Sequence, residues 1–141
     1  MLTKEQILEI LPQRDPFLFV DSITELVPGE RVTGIKTVLG TEDFFRGHFP
    51  NKPVMPGVLI IETMAQIGAI GVLSIPENKG KIAYFTGIKE AKFKKMVIPG
   101  DTLIITCELS KMRFNYGFGV AKAYVNNELV CEATLGMFLG E

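Results

Sequence analysis

The sequence predicts an α+β fold in which a curved antiparallel sheet wraps around one long central helix. Residues 57–74 form a helix-length run whose apolar side chains point all round the axis rather than along one stripe. Residues 103–109 and 129–137 instead alternate between two faces, as half-buried strands do. A helix this apolar must be buried on nearly every side, and one sheet covers it incompletely. We therefore expect at least a dimer.

A short helix and two strands are predicted before the long helix. Thr3 and Gln6 have the spacing of a capping box, which starts a helix over residues 4–11 that must end before the next proline. Residues 17–26 and 31–39 are rich in β-branched and aromatic residues and flank a Pro-Gly turn. These two segments are therefore predicted to be strands.

A loop rich in Phe, Gly and Pro is predicted over residues 41–56, ahead of the long helix. From Ala83 onward the period-two pattern predicts three or more further strands. Asn126 and Asn127 tolerate positive φ and predict a tight hairpin between the last two strands. Because no repeat or low-complexity linker interrupts the chain, we expect one domain over residues 1–141.

The composition narrows the possible function classes. The 141 residues carry a formal net charge of -1, which argues against broad nucleic-acid binding. Cys107 and Cys131 lack the close spacing of a zinc or redox motif, so we expect reduced core cysteines in a cytoplasmic protein. The first ten residues lack the pattern of an export signal. Glu62 and Gln66 make residues 58–75 unfavourable as a membrane span.

One histidine just before the long helix and one acid within it indicate proton-transfer chemistry. His48 is the only histidine of the chain, and histidine ordinarily exchanges protons near neutral pH. Glu62 lies within the apolar helix, where low polarity disfavours an ionised carboxylate and favours the protonated acid. The alternatives are a structural role for the histidine and a buried salt bridge for the acid.

The start of the helix supplies a third component of this site. Pro56 sets its entry, and Gly57 leaves the first free N–H groups open to a carbonyl oxygen that gains negative charge. A base, a neutral acid and an oxyanion site together predict a β-elimination beside a carbonyl group. A metal site is not expected, because the chain has one histidine and no CxxC spacing. It also lacks the GxSxG and GxxxxGK[ST] motifs.

The combined pattern resembles the β-hydroxyacyl-(acyl carrier protein) dehydratases of bacterial type II fatty-acid synthesis, the FabZ family with the hot-dog fold. The resemblance implies conversion of 3-hydroxyacyl to trans-2-enoyl chains, with His48 and Glu62 as the catalytic pair. It further implies that the backbone N–H of Gly57 or Val58 binds the thioester carbonyl. The matching segments are FFRGHFPNKPVMPGVLIIETMAQIGA, LPQRDPFLFVD, AKFKKMVIPGDTL and NNELVCEATLGMF.

The resemblance also implies a carrier and an assembly. The substrate would arrive on the phosphopantetheine of an acidic acyl carrier protein, with no other cofactor, and its acyl chain would occupy an apolar tunnel near the helix. His48 and Glu62 of one site would come from different subunits of a dimer, and dimers would form hexamers. Residues 79–113 hold eight basic and three acidic residues, as either a solvated face or a docking surface. The docking candidates are Lys89, Lys92, Lys94, Lys95 and Arg113.

Several alternatives stay open at the level of sequence. The family commonly reads LPHRYPF, so Gln13 and Asp15 replace a histidine and a tyrosine. The sequence does not determine how these two changes affect substrate access to the tunnel. Either Glu62 protonates the leaving hydroxyl, or His48 moves both protons while Glu62 orients the hydroxyl. The enzyme could also isomerise trans-2 to cis-3 enoyl chains. A hot-dog thioesterase and a non-catalytic acyl-binding or lipid-sensing module are the other function classes.

Overall fold

A six-stranded antiparallel sheet wraps around one long helix in the computed structural model, which describes residues 1–49 and 51–141. The strand order across the sheet is β1-β2-β4-β5-β6-β3. This architecture confirms the predicted α+β class. The elements in chain order are α1 (Lys4–Ile10), β1 (Ser22–Val27), β2 (Arg31–Thr37), α2 (Phe44–Gly47), α3 (Gly57–Leu73), a 3-10 turn (Pro76–Asn78), β3 (Ile82–Phe93), β4 (Thr102–Leu109), β5 (Tyr116–Val125) and β6 (Glu128–Gly140).

The capping box at the start of α1 is confirmed. The Thr3 side chain accepts a hydrogen bond from the Gln6 N–H at 3.3 Å, and the Gln6 side chain accepts one from the Thr3 N–H at 2.9 Å. Each bond satisfies a backbone donor that the first helical turn leaves without a partner. The helix ends at Ile10 because Leu11 is already extended, one residue earlier than predicted.

The first predicted strand is wrong over residues 17–21. Strand β1 begins only at Ser22, although the turn that joins it to β2 is where the sequence places it. The Phe17 carbonyl and the Phe19 N–H bond to the side chain of Gln66 on α3 instead of to a neighbouring strand. The local sequence does not reveal this difference, because the partner of both backbone groups lies almost fifty positions further along the chain.

Helix α3 lies against the concave side of the sheet, mainly on β4 and β2. The sequence predicts burial all round, and the structure confirms it from Ile60 to the C-terminal end, apart from a few partly exposed positions. Gly71 permits the close approach, since a Cβ atom there would lie 2.7 Å from the Leu109 side chain. The residues of α3 that are fully enclosed by the sheet include Met64, Ile67 and Ile70.

Strands β4, β5 and β6 form an antiparallel meander, and β3 pairs with β6 at the edge of the sheet. Asn126 and Asn127 both have positive φ, 50° and 66°, and close the β5–β6 hairpin as predicted. Strand β3 is the edge strand beyond β6, and from Tyr84 onward all of its residues are exposed. Three large apolar side chains lie on it, Phe85 at 41%, Ile88 at 52% and Phe93 at 53% exposure.

Both cysteines are free and buried in the sheet, as the sequence predicts. Burial raises the pKa of the Cys107 thiol to about 12, and that of the Cys131 thiol to about 11. Such thiols stay protonated near neutral pH and are poor nucleophiles. Across residues 1–49 and 51–141, no helix is long and apolar enough to cross a bilayer.

Candidate active site

His48 follows a short helix that the sequence does not predict. Helix α2 (Phe44–Gly47) lies inside the predicted loop, and the His48 N–H caps it by donating to the Phe44 carbonyl at 3.1 Å. The His48 Nδ1 lies 2.8 Å from the Val54 carbonyl oxygen. A carbonyl oxygen can only accept, so Nδ1 carries the hydrogen. In the neutral ring this leaves a free lone pair on Nε2, which is the form a general base requires.

The N-terminus of α3 shares a cavity with His48. The N–H groups of Leu59 and Ile60 both donate to the Pro56 carbonyl. Among the described residues, the N–H groups of Gly57 and Val58 donate to no protein acceptor. They therefore remain available at the positive end of the helix dipole. The cavity measures about 470 Å³, and its wall includes His48, Gly57, Val58, Phe93, Lys94 and Lys95.

Phe93 explains why position 57 is glycine. A Cβ atom on Gly57 would lie 2.7 Å from the Phe93 ring, closer than side chains normally approach. The end of β3 therefore packs directly onto the first turn of α3. The sequence identifies Gly57 as an open helix start but does not identify Phe93, because 35 positions separate the two residues.

Glu62 lines a second cavity, of about 320 Å³, on α3. Its carboxyl group is partly buried, and this burial raises its pKa, while a hydrogen bond from Gln66 opposes the rise. The direction agrees with the sequence prediction of an acid biased toward its neutral form. The rest of the wall comes from Gln13, Phe17, Ala65, Gln66, Ala69, Ile82, Ala83, Tyr84, Phe85, Leu135, Gly136 and Met137.

Gln66 connects Glu62 to the segment before β1. Its Nε2 donates to the Glu62 carboxylate at 3.0 Å and to the Phe17 carbonyl at 2.8 Å. Its Oε1 accepts from the Phe19 N–H at 2.9 Å. Gln66 is 1% exposed, and its amide is fully used, so it fixes the orientation of the Glu62 side chain. The sequence indicates only that Gln66 shares a helix face with Glu62.

Among the residues that the structure describes, none lines both cavities of one chain. Strand β3 runs along both, with Ile82–Phe85 at the Glu62 cavity and Phe93 at the His48 cavity. Of the basic docking candidates, Lys94 and Lys95 line the His48 cavity, and Lys95 also pairs with Glu128. Lys89 lines a separate groove with Phe118, and Lys92 and Arg113 line neither cavity.

The raised pKa of Glu62 predicts how stability changes with pH. An unfolded glutamate titrates near 4.3, so the native chain binds this proton more tightly, and its stability falls as pH rises through the native pKa. Glu62→Gln removes this loss. The melting temperature of the variant minus that of the wild type should therefore increase between about pH 4 and the native pKa, then level off.

Calorimetry across about pH 4 to 8 would measure this difference. Glu9→Gln, at an exposed position of α1, controls for the loss of one negative charge. A difference for Glu62→Gln that stays constant or shrinks with rising pH would contradict the assignment.

Comparisons with known proteins identify the family of the chain. A family model described as a FabA-like domain matches residues 11–134. A 3-hydroxyacyl-[acyl-carrier-protein] dehydratase FabZ of Enterococcus faecalis is 54% identical over 139 residues, which cover 99% of each chain. The chain belongs to the FabZ family. Another FabZ dehydratase, from Roseiflexus sp., is 53% identical over 135 residues, 96% of this chain and 94% of the relative.

Solved structures confirm the fold of this FabZ family member. The dehydratase heterocomplex ApeI:P from Xenorhabdus doucetiae superposes with a TM-score of 0.82 at 14% identity, over 96% of this chain and 91% of that chain. An uncharacterized protein from Pyrococcus horikoshii gives a TM-score of 0.68 at 14% identity, over 92% and 90% of the two chains. The architecture is the hot-dog fold implied by the sequence resemblance.

Proposed function

We propose that this FabZ family member dehydrates 3-hydroxyacyl-carrier protein to the trans-2-enoyl form in type II fatty-acid synthesis. The observation that carries the proposal is the His48 ring, whose Nδ1 is bound to the Val54 carbonyl so that Nε2 keeps its lone pair beside the free end of α3. A base next to backbone N–H donors suits removal of a proton beside a thioester carbonyl.

The proposed reaction uses three groups of the protein. Nε2 of His48 takes the α-proton, and the electron pair moves toward the thioester oxygen, which accepts hydrogen bonds from the N–H of Gly57 or Val58. The bond between the β-carbon and its oxygen then breaks as the electrons return, and Glu62 gives its proton to the leaving hydroxyl. Water departs, and the proton held by His48 restores the acid. The raised pKa of Glu62 favours it as the proton donor.

The exposed edge strand β3 supports an active site that two subunits share. Strand β3 has an unpaired side with exposed Phe85, Ile88 and Phe93. Two β3 strands paired antiparallel would set the Ile82–Phe85 end of one chain beside the Phe93 end of its partner. That pairing would bring the Glu62 cavity of one subunit against the His48 cavity of the other. We propose a homodimer of this kind, assembled further into a hexamer, and located in the cytoplasm.

The proposed substrate enters on a phosphopantetheine arm, and no metal or further cofactor takes part in the proposed steps. The acyl chain would extend into the Glu62 cavity, whose wall is largely apolar beyond Glu62 and the two glutamines. Incubation with 3-hydroxyacyl-carrier protein and mass spectrometry should show loss of one water, with the new double bond at position 2. A cis-3 product would reveal isomerisation, and free carrier thiol would reveal a thioesterase. Unchanged substrate would overturn the proposal.

We expect the basic docking candidates to affect the KM only of substrates that are bound to the carrier protein. Reversing Lys92 and Arg113, which line neither cavity, to Glu should raise KM for a carrier-bound substrate by about tenfold at low salt, because the acidic carrier loses its attraction. A pantetheine thioester without the protein carrier should keep its KM. Lys111→Glu, at an exposed position of the same basic segment, is the matched control. Equal KM changes for both substrates would remove the docking role.

A further inference from the structure

Gln13 has a buried side-chain oxygen atom that accepts no hydrogen bond from the residues that the structure describes. It lies in the segment between α1 and β1, and its side chain lines the cavity that holds Glu62. Over residues 1–49 and 51–141, its Oε1 is the one buried side-chain nitrogen or oxygen without a hydrogen-bond partner. A buried acceptor in this state lowers stability, because it has given up its hydrogen bonds to water without gaining a replacement. An apolar side chain at this position would avoid that cost.

The backbone around Gln13 is held firmly, so the free amide is not a consequence of a loose loop. Arg14 Nη1 donates to the Gln13 carbonyl and to the Leu11 carbonyl, both at 2.8 Å. Its Nη2 donates to the Leu8 carbonyl at 3.0 Å. Arg14 thereby ties the segment to the end of α1 and fixes where the Gln13 side chain enters the cavity wall.

Two other polar side chains of this cavity wall have their donor hydrogens engaged elsewhere. Both N–H groups of the Gln66 amide donate, to Glu62 and to the Phe17 carbonyl, and the Tyr84 hydroxyl donates to the Glu141 carbonyl. Among the described side chains of this wall, the Glu62 acid proton is the donor left for Gln13 Oε1, and a molecule in the cavity is the other source. In the proposed reaction, the substrate carries one hydroxyl donor into this cavity, at carbon 3, beside the acid that protonates it.

We propose that Gln13 Oε1 accepts a hydrogen bond from the 3-hydroxyl group of the substrate and selects hydroxylated acyl chains. This inference rests on the proposed dehydratase function. The hydroxyl hydrogen stays on its oxygen and points to Gln13, so a lone pair of that oxygen faces Glu62. When the bond from carbon 3 to oxygen breaks, Glu62 adds its proton and water leaves. Gln13 gains and loses no proton.

Ligand binding tests the contact without turnover. In a His48→Ala background, 3-hydroxybutyryl-pantetheine should bind about tenfold more tightly than butyryl-pantetheine when Gln13 is present. Gln13→Met, which keeps the length and lacks the acceptor, should reduce this preference severalfold and leave the butyryl affinity unchanged. Gln13→His, which restores an acceptor nitrogen, should recover part of it. An undiminished preference in Gln13→Met would overturn the proposal.

The melting temperature distinguishes a ligand-binding role of Gln13 from a structural role. Because Oε1 has no protein partner, Gln13→Met should melt at the wild-type temperature or higher. In the otherwise unchanged enzyme it should lower kcat/KM for the 3-hydroxyacyl substrate by about tenfold. A lower melting temperature with equal weakening of both ligands would assign Gln13 to the scaffold and overturn the proposal.

Failure of the proposed function gives a different result. If wild-type protein binds the hydroxylated ligand preferentially through Gln13 but releases no water, the dehydratase proposal fails and the binding inference holds. If it dehydrates the substrate while Gln13→Met retains full kcat/KM and the hydroxyl preference, only the inference about Gln13 fails.

Discussion

His48→Ala and Glu62→Gln are each expected to lower the dehydration rate by at least about 100-fold, the usual contribution of a positioned acid or base. The first variant removes the Nε2 lone pair that the Val54 contact leaves free. The second keeps the shape of the side chain and an oxygen for Gln66, but has no acid proton to give. Initial rates on 3-hydroxyacyl-carrier protein, with melting temperatures as the folding control, measure both effects.

Mixing the two inactive variants tests whether one site is built from two subunits. A mixed dimer contains one site with both His48 and Glu62 intact and one site with neither. After unfolding and refolding at equal amounts, random pairing makes half of the dimers mixed, so roughly a quarter of wild-type activity should return. Each variant refolded alone stays inactive and serves as the control.

The outcome of this mixing experiment distinguishes two arrangements of the acid and the base. If both groups came from one chain, every site in a mixed dimer would lack one of them, and no activity would return. Such a result would contradict the antiparallel β3 pairing that we propose, while leaving the roles of the two residues intact. Wild-type rates in either single variant would contradict those roles.

Local sequence patterns are sufficient to predict most of the fold. The capping box at Thr3, the apolar run of α3 and the Asn126-Asn127 turn all depend on residues within a few positions of one another. Helix α2 could not be predicted this way, since four residues are too few for a helical period. The patterns that predict these elements are local in sequence, although α3 itself is stabilised by packing on β4 and β2.

The site contacts depend on distant residues and are correspondingly harder to predict. Gln66 bonds to Phe17 and Phe19 across almost fifty positions, and this contact replaces the strand predicted for that segment. The Gly57–Phe93 contact likewise exists only after β3 has folded against α3. The chemical types of His48 and Glu62 predict their roles, whereas the groups that orient them become visible only in three dimensions.

Gln66→Leu is expected to lower the free energy of unfolding by about 2 kcal/mol, because one buried and one partly buried backbone group lose their partners. The Phe19 N–H and the Phe17 carbonyl both bond to the Gln66 amide, which is itself almost fully buried. Thr63→Val is the matched control on the same helix. Its hydroxyl bonds only to the Leu59 carbonyl within α3, so its loss should cost clearly less. Urea unfolding of both variants measures the difference.

Gln66→Leu should also shift the pH dependence of kcat to higher pH. The hydrogen bond from Gln66 lowers the pKa of Glu62, against the larger effect of burial. Removing it raises that pKa further, so the acid stays protonated to higher pH, and the alkaline decline of kcat should shift upward in Gln66→Leu. Thr63→Val should keep the wild-type profile. A shift to lower pH would show that Gln66 does not hold Glu62 through this bond. A stability equal to that of Thr63→Val would contradict the role given to the Phe17 and Phe19 contacts.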